Sequence, residues 1–310
     1  MNKYIPTIPD EFVVPLNMNG LRGRMVRLPA PKNKKREVLL IYGQHANLER
    51  YYGFAELLNK YGAVTMPDLP GFGGMDSFYK LGTKPNLDDF ADYLATFVRW
   101  RYKNRRVSIV GLSFGFLVVT RMLQKYPDIA KKVDILVSGA GLAHKDDFTF
   151  SKSRYLSYLY LSKFFSMQVT SIFFRYAIVN TFFLKMFYSR THNAKEKFTD
   201  LNQEERDALT EFEIRLWHED HLRTWMRTTI AMLTADNCHE QVDLPLWLVW
   251  VENDKYFRND LVEQHMRIIF KEVHPIKTKL SKHATDVIAD EKDWDSMIPA
   301  KLKRELNKKP

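Results

Sequence analysis

The chain is poor in cysteine, with Cys238 alone among 310 residues. No intrachain disulfide can form, and a reducing compartment suits such a sequence. Long apolar runs are missing too. The most aromatic stretch is interrupted by Lys163, Arg175 and Lys185, so it falls short of the roughly 18–20 residues of a spanning helix. Residues 1–15 carry prolines and acids where a secretory signal needs an apolar stretch, which points to the cytoplasm. No glycine-rich phosphate loop, nucleic-acid-binding module, internal repeat or low-complexity tract is evident. His218, His221 and His239 lack a second set of ligands at a metal-binding spacing. The sequence therefore calls for no metal, no cofactor and no nucleic-acid partner.

What is present is a chain with 45% hydrophobic residues, enough for a large buried core. Its 27% of charged residues argue against both disorder and an integral membrane protein. The formal net charge is +10, a surface that could favour anionic partners. The cations gather at 32–36, 99–106 and 301–309, at loops and helix ends, which reads as solvated basic faces.

Along the chain, residues 11–17 and 21–28 are extended and joined across Asn19-Gly20, a hairpin signal. Apolar strands then alternate with amphipathic helices. Strands are expected at 38–42, 63–66, 107–111, 133–138, 246–251 and 275–280, with helices at 49–61, 87–102, 114–126, 260–270 and 293–306. Residues 143–237 break this rhythm with helical stretches and no convincing strand. The pattern predicts an α/β fold with a doubly wound, mostly parallel sheet built from 1–142 and 238–310, and an inserted helical cap at 143–237.

The strongest chemical signal is Gly111-Leu112-Ser113-Phe114-Gly115, directly after one apolar strand and at the start of the next helix. A sharp strand-to-helix turn strains the central residue and needs small neighbours, and the helix N-terminus favours developing negative charge.

In this context the sequence resembles the α/β-hydrolase family over nearly the whole chain outside the insert. The resemblance implies a serine hydrolase with Ser113 as nucleophile, Asp254 after a late strand as acid and His283 after the last strand as base. Such a histidine removes the serine proton, and a carboxylate holds its tautomer and stabilises the imidazolium. Glu252 is the rival acid, and the alternative family position, after 133–138, holds Gly139-Ala140-Gly141 and no carboxylate. The resemblance puts the oxyanion donors at the backbone N–H groups of Gln44 and Phe114. Tyr42 stands where the family usually has histidine, His45 follows three residues later, and both are candidates for the substrate pocket. Asp68-Leu69-Pro70-Gly71-Phe72-Gly73 also matches the family and reads as a structural turn. A serine nucleophile argues against the dehalogenase and epoxide-hydrolase branches, which use aspartate.

Residues 155–190 contain twelve Phe and Tyr. Three readings stay open: the packed interior of the cap, the wall of an apolar substrate tunnel, or peripheral contact with a membrane. All three suit an apolar acyl substrate, so hydrolysis of a carboxylic ester is the expected activity. Cleavage of another acyl bond (an amide, a peptide N-terminus, a carbon–carbon bond beside a ketone) remains the alternative, as does a non-catalytic, membrane-associated binding protein on the same fold.

Overall fold

Asn19 and Gly20 take φ of 53° and 79°, the geometry of a two-residue hairpin turn. They join strand β1 (Val13–Met18) to β2 (Leu21–Leu28) in antiparallel register. The computed structural model describes residues 7–190, 202–252, 254–278, 294–295 and 297–309. Six further strands follow: β3 (Arg36–Ile41), β4 (Gly62–Pro67), β5 (Val107–Leu112), β6 (Val133–Gly139), β7 (Val242–Val251) and β8 (Phe270–Thr278). They form one sheet in the order β1-β2-β4-β3-β5-β6-β7-β8. The β2–β4 pairing is antiparallel, and from β4 to β8 every neighbouring pair is parallel.

Every residue of β5 is buried, as expected for a strand covered by helices on both faces. Sequence order runs from β3 outward to β4 on one side, then resumes at β5 on the other. This reversal is a topological switch point, where a crevice opens beyond the carboxyl ends of the strands. The covering helices include α1 (Leu48–Asn59), α2 (Leu87–Tyr102), α3 (Phe114–Lys125) and the short α4 (Pro127–Ala130). Helix α2 shows why its boundary is legible. Asn86 and Asp89 form a reciprocal capping box, with acids in the first turn and Arg99 and Arg101 in the last, each favourable to the helix dipole.

Between β6 and β7 the described residues form α5 (Lys152–Phe165), α6 (Gln168–Ala177), α7 (Thr181–Arg190), α8 (Gln203–Glu219) and α9 (Leu222–Leu233), with no strand among them. These helices carry small apolar clusters of their own, Val179, Leu184, Ile214, Leu222 and Met226 in one and Leu159, Ile230 and Leu233 in another. Helix α10 (Asn259–Ile269) and α11 (Ala300–Asn307) complete the chain.

Three boundaries differ by four residues or more from the sequence expectation. Strand β7 starts at Val242 rather than 246. Strand β8 starts at Phe270 rather than 275, and Pro275 lies inside it, opposite Leu248. A strand interior tolerates proline here because β8 lies at the end of the described sheet, where one side of the strand has no ladder to complete. Within the expected helix 293–306, Trp294 and Asp295 are helical, 297–299 are not, and the last helix starts at Ala300 with Pro299 as its N-cap, because proline disfavours helical backbone in the residue before it.

Candidate active site

Ser113 sits between β5 and α3 at φ 48° and ψ −122°, a region non-glycine residues rarely occupy and that costs about 1–3 kcal/mol. The surroundings impose it. The Ser113 N–H donates to the Gly139 carbonyl (3.1 Å), and its carbonyl accepts from the N–H groups of Phe116 (3.0 Å) and Leu117 (3.3 Å). A Cβ on Gly111 would lie 2.8 Å from Phe116 Cα, and one on Gly115 would lie 2.3 Å from the Tyr42 carbonyl oxygen. Only glycine fits either place. Ser113 holds the N-cap position of α3, yet its side chain makes no capping bond, which leaves the hydroxyl for other work.

The loop after β3 runs beside it. The position of a Cβ on Gly43 is 3.0 Å from Ser113 Cβ, so the residue that follows, Gln44, is next to Ser113. Among the described residues, neither the Gln44 nor the Phe114 N–H pairs with a backbone carbonyl. The Gln44 side chain is committed elsewhere: its amide nitrogen lies 2.8 Å from the Trp225 carbonyl, 2.7 Å from Thr228 Oγ1 and 2.8 Å from Thr229 Oγ1. All three acceptors belong to α9.

His45, at φ 57°, continues this attachment. Its Nδ1 is 2.7 Å from Asp220 and its Nε2 is 3.5 Å from Glu213. Both carboxylates are almost fully buried. Burial alone would lower the His45 pKa, but hydrogen bonds and charge from Asp220 and Glu213 overcome it and hold the imidazole above its ordinary value. Burial pushes Asp220 upward, against the pull of His45. Arg50 adds a bond to Glu213 (3.3 Å), and Asn47 donates to Glu219 (2.9 Å). The indoles of Trp217 and Trp225 lie 5.1 Å apart, tilted by 45°, with the His45 ring 4.5 Å from Trp217. His45 therefore stands in a buried ion cluster that ties the loop after β3 to the α8–α9 junction.

Tyr42 is a correction. It is fully buried, its hydroxyl donates to Asp68 Oδ1 (2.6 Å) and accepts from the Leu69 N–H (3.0 Å), so it is no pocket-lining residue. Arg24 holds the same Asp68 at 3.1 Å and grips both Glu49 oxygens at 2.6 and 2.8 Å. Burial drives the Asp68 carboxyl well above the ordinary range despite Arg24 beside it. This network anchors the end of β3 from which Gly43 and Gln44 project.

Strand β7 ends at Val251, and Asp254 follows at the same sheet edge as Ser113, because β5, β6 and β7 are parallel. One carboxylate oxygen of Asp254 accepts from the N–H groups of Tyr256 (2.8 Å) and Phe257 (3.1 Å), which fixes the side chain's direction. Glu252 lies just past β7; it is exposed and pairs with Lys277 of β8. Strand β8 ends at Thr278 on that edge too. His283 lies outside the described residues.

The aromatic segment 155–190 is turned outward. Tyr155, Phe165, Phe174 and Tyr188 are half-buried, the other eight rings are exposed, and none is buried. The packed interior of the insert is instead made by Val179, Leu184, Ile214 and their neighbours. Sequence reasoning missed Asp220, Glu213, Arg50 and Asn47, which fix the loop after β3. They lie more than 160 residues from the residues they meet, or inside a helix with no distinctive spacing, and no local pattern marks them.

A doubly wound sheet with a serine on a strained strand–helix turn at its switch point defines the class: an α/β-hydrolase fold. The family model for serine aminopeptidase S33 (Hydrolase_4) matches residues 32–278, and the chain belongs to that family. It is an α/β-fold hydrolase. Among solved structures, an esterase from Exiguobacterium antarcticum superposes with a TM-score of 0.66 at 14% identity, covering 94% of this chain and 97% of that one. A thermophilic esterase from Thermogutta terrifontis gives 0.64 at 13% identity, covering 96% and 99%. A membrane phospholipase A described as a bacterial virulence factor gives 0.59 at 14% identity, covering 89% and 79%. No curated protein matches the chain.

Proposed function

We propose that the protein hydrolyses carboxylic esters with an apolar acyl or alcohol part, using Ser113, His283 and Asp254, beneath a cap formed by the helices of 143–237. The observation that carries this reading is Ser113 itself, strained between two glycines at the switch point, with its hydroxyl uncapped and the Gly43–Gln44 loop beside it. On this reading Ser113 Oγ attacks the ester carbonyl while its proton passes to His283. Asp254, its orientation set by two backbone N–H bonds, steadies the imidazolium. The N–H groups of Gln44 and Phe114 receive the oxyanion, a role typically worth about 3–4 kcal/mol per donor. The alcohol leaves with the proton from His283, and water, activated by the same histidine, releases the acid.

Trp217 and Trp225 beside the Gln44 loop supply apolar surface for the acyl or alcohol part. The family's description raises a second reading, release of an N-terminal residue. An aminopeptidase must anchor an ammonium group, and the carboxylates that reach this loop, Glu213, Asp220 and Glu219, are already engaged by Arg50, His45 and Asn47. The ester reading is therefore preferred, with the enzyme at work in the cytoplasm and meeting its substrate at a lipid surface.

A fluorophosphonate probe should label the wild type, and Ser113→Ala should abolish labelling and lower p-nitrophenyl ester turnover by about 10⁴-fold or more. Undiminished labelling of that variant would remove the reading. Faster turnover of aminoacyl p-nitroanilides than of p-nitrophenyl esters would favour the aminopeptidase.

A further inference from the structure

Helices α5, α6 and α7 expose an unusual set of side chains. Val169, Phe173, Tyr176 and Phe182 are 79, 64, 78 and 72% exposed, with Ile172 and Phe187 more than half exposed beside them in sequence. Single exposed apolar residues are ordinary, but a run of aromatic and aliphatic ones is what a water-facing surface avoids unless something covers it. Internal partners hold the segment in this orientation. Arg175 donates to the carbonyls of Trp217 and Asp220. Phe165 and Phe174 pack together at 4.4 Å on the inner side.

Charge identifies the covering surface. Residues 148–190 contain Lys152, Arg154, Lys163, Arg175, Lys185 and Arg190, and no aspartate or glutamate. Lys152, Arg154, Lys163 and Lys185 are exposed. The neighbouring helix α8 carries the opposite sign, with Glu204, Glu205, Asp207, Glu211, Glu213 and Glu219 against Arg206 and Arg215. Acid is thus absent from the aromatic helices and concentrated on the next one. Aromatic rings that settle at headgroup depth, ringed by lysine and arginine, match an anionic phospholipid surface. None of the described helices is long and apolar enough to cross a bilayer, and the ten residues of α6 span only about 15 Å. The contact is therefore with one leaflet.

We infer that α5–α7 form a docking surface for the face of a bilayer rich in anionic phospholipid, with the rings inserted and the lysines on the headgroups. This deepens the ester-hydrolase reading, on which it rests for its purpose, by naming where an apolar substrate is met.

The test is co-sedimentation of the full-length protein with phosphatidylcholine vesicles with and without phosphatidylglycerol. Binding should require phosphatidylglycerol and fall about tenfold in high salt, which screens the charge contribution. The Phe173→Ser/Tyr176→Ser/Phe182→Ser variant should lose vesicle binding, and so should Lys163→Glu/Lys185→Glu, which keeps the rings and guards against a folding defect in the first. Hydrolysis of a soluble acetyl ester should be unchanged in both. Wild-type protein that ignores the vesicles would overturn the inference, as would variants that bind as well as wild type. A dimer that hides these rings and dissociates on their substitution would replace the bilayer with a second copy. Fluorophosphonate labelling and acetyl ester turnover in vesicle-free buffer read the catalytic proposal separately, so either can fail without the other.

Discussion

The two halves of the helical insert behave oppositely. Helices α8 and α9 turn Leu209, Phe212, Leu216 and Met226 inward and hold the loop beside Ser113 through buried ions and the Gln44 amide. Helices α5–α7, no less apolar, leave most of their rings in water. The difference teaches that aromatic content alone does not locate a core. What decides is whether a facing element offers a complementary surface, as the β3 loop does for α8–α9. One half of the insert is clamped to the loop beside Ser113; the other has an apolar face left uncovered among the described residues.

The largest expected break in this contrast comes from Asp220→Ala. It leaves His45 buried without its nearer carboxylate, and removing one partner of a buried pair typically costs about 3–5 kcal/mol. Glu211→Ala, on the exposed face of α8, should change stability by no more than about 0.5 kcal/mol. Chemical denaturation of both variants measures the difference, and equal effects would dissolve the distinction between a clamped and a free face.

Gln44→Ala should lower kcat about tenfold, a change of about 1.4 kcal/mol, with KM little altered. The backbone N–H proposed to receive the oxyanion survives, but the amide that bonds the three α9 acceptors and holds the loop is lost. Unchanged kcat would mean that the loop keeps its place without α9.

The pH dependence sharpens the comparison further. His45 is held above 6.5, so its contribution to stability is fully present below the unfolded value and fades as pH rises through the folded one. Asp220, raised by burial, works in the same direction from a lower starting pH. The stability advantage of wild type over His45→Gln should therefore shrink as pH is raised above 6.5, followed by thermal melts across that range. An advantage that grows toward alkaline pH would contradict a protonated His45. The smallest effect belongs to the outer half: Tyr176→Ser, at a ring in water, should move stability by about 0.5 kcal/mol at most.

Much of the sheet was legible because buried parallel strands are short apolar runs and their helices are amphipathic. Helix α2 matches its expected bounds of 87–102, where a capping box and end charges agree with the apolar pattern. Ser113 was legible because the strained turn needs small neighbours, and that need is written in adjacent letters. The start of β8 was not, since Pro275 reads locally as a strand boundary and only its edge position makes it tolerable inside one. The twelve rings of 155–190 were legible as aromatic but not as inward or outward.

Sequence by itself determined the alternation of strands and helices and the serine turn, because each depends on neighbours within a few residues. Tertiary structure decided that Tyr42 anchors Asp68, that His45 is paired with Asp220 and Glu213, and that the rings of α5–α7 face outward. Those outcomes depend on which surfaces meet across more than a hundred residues of chain, and burial, charge pairing and exposure have no value until they do.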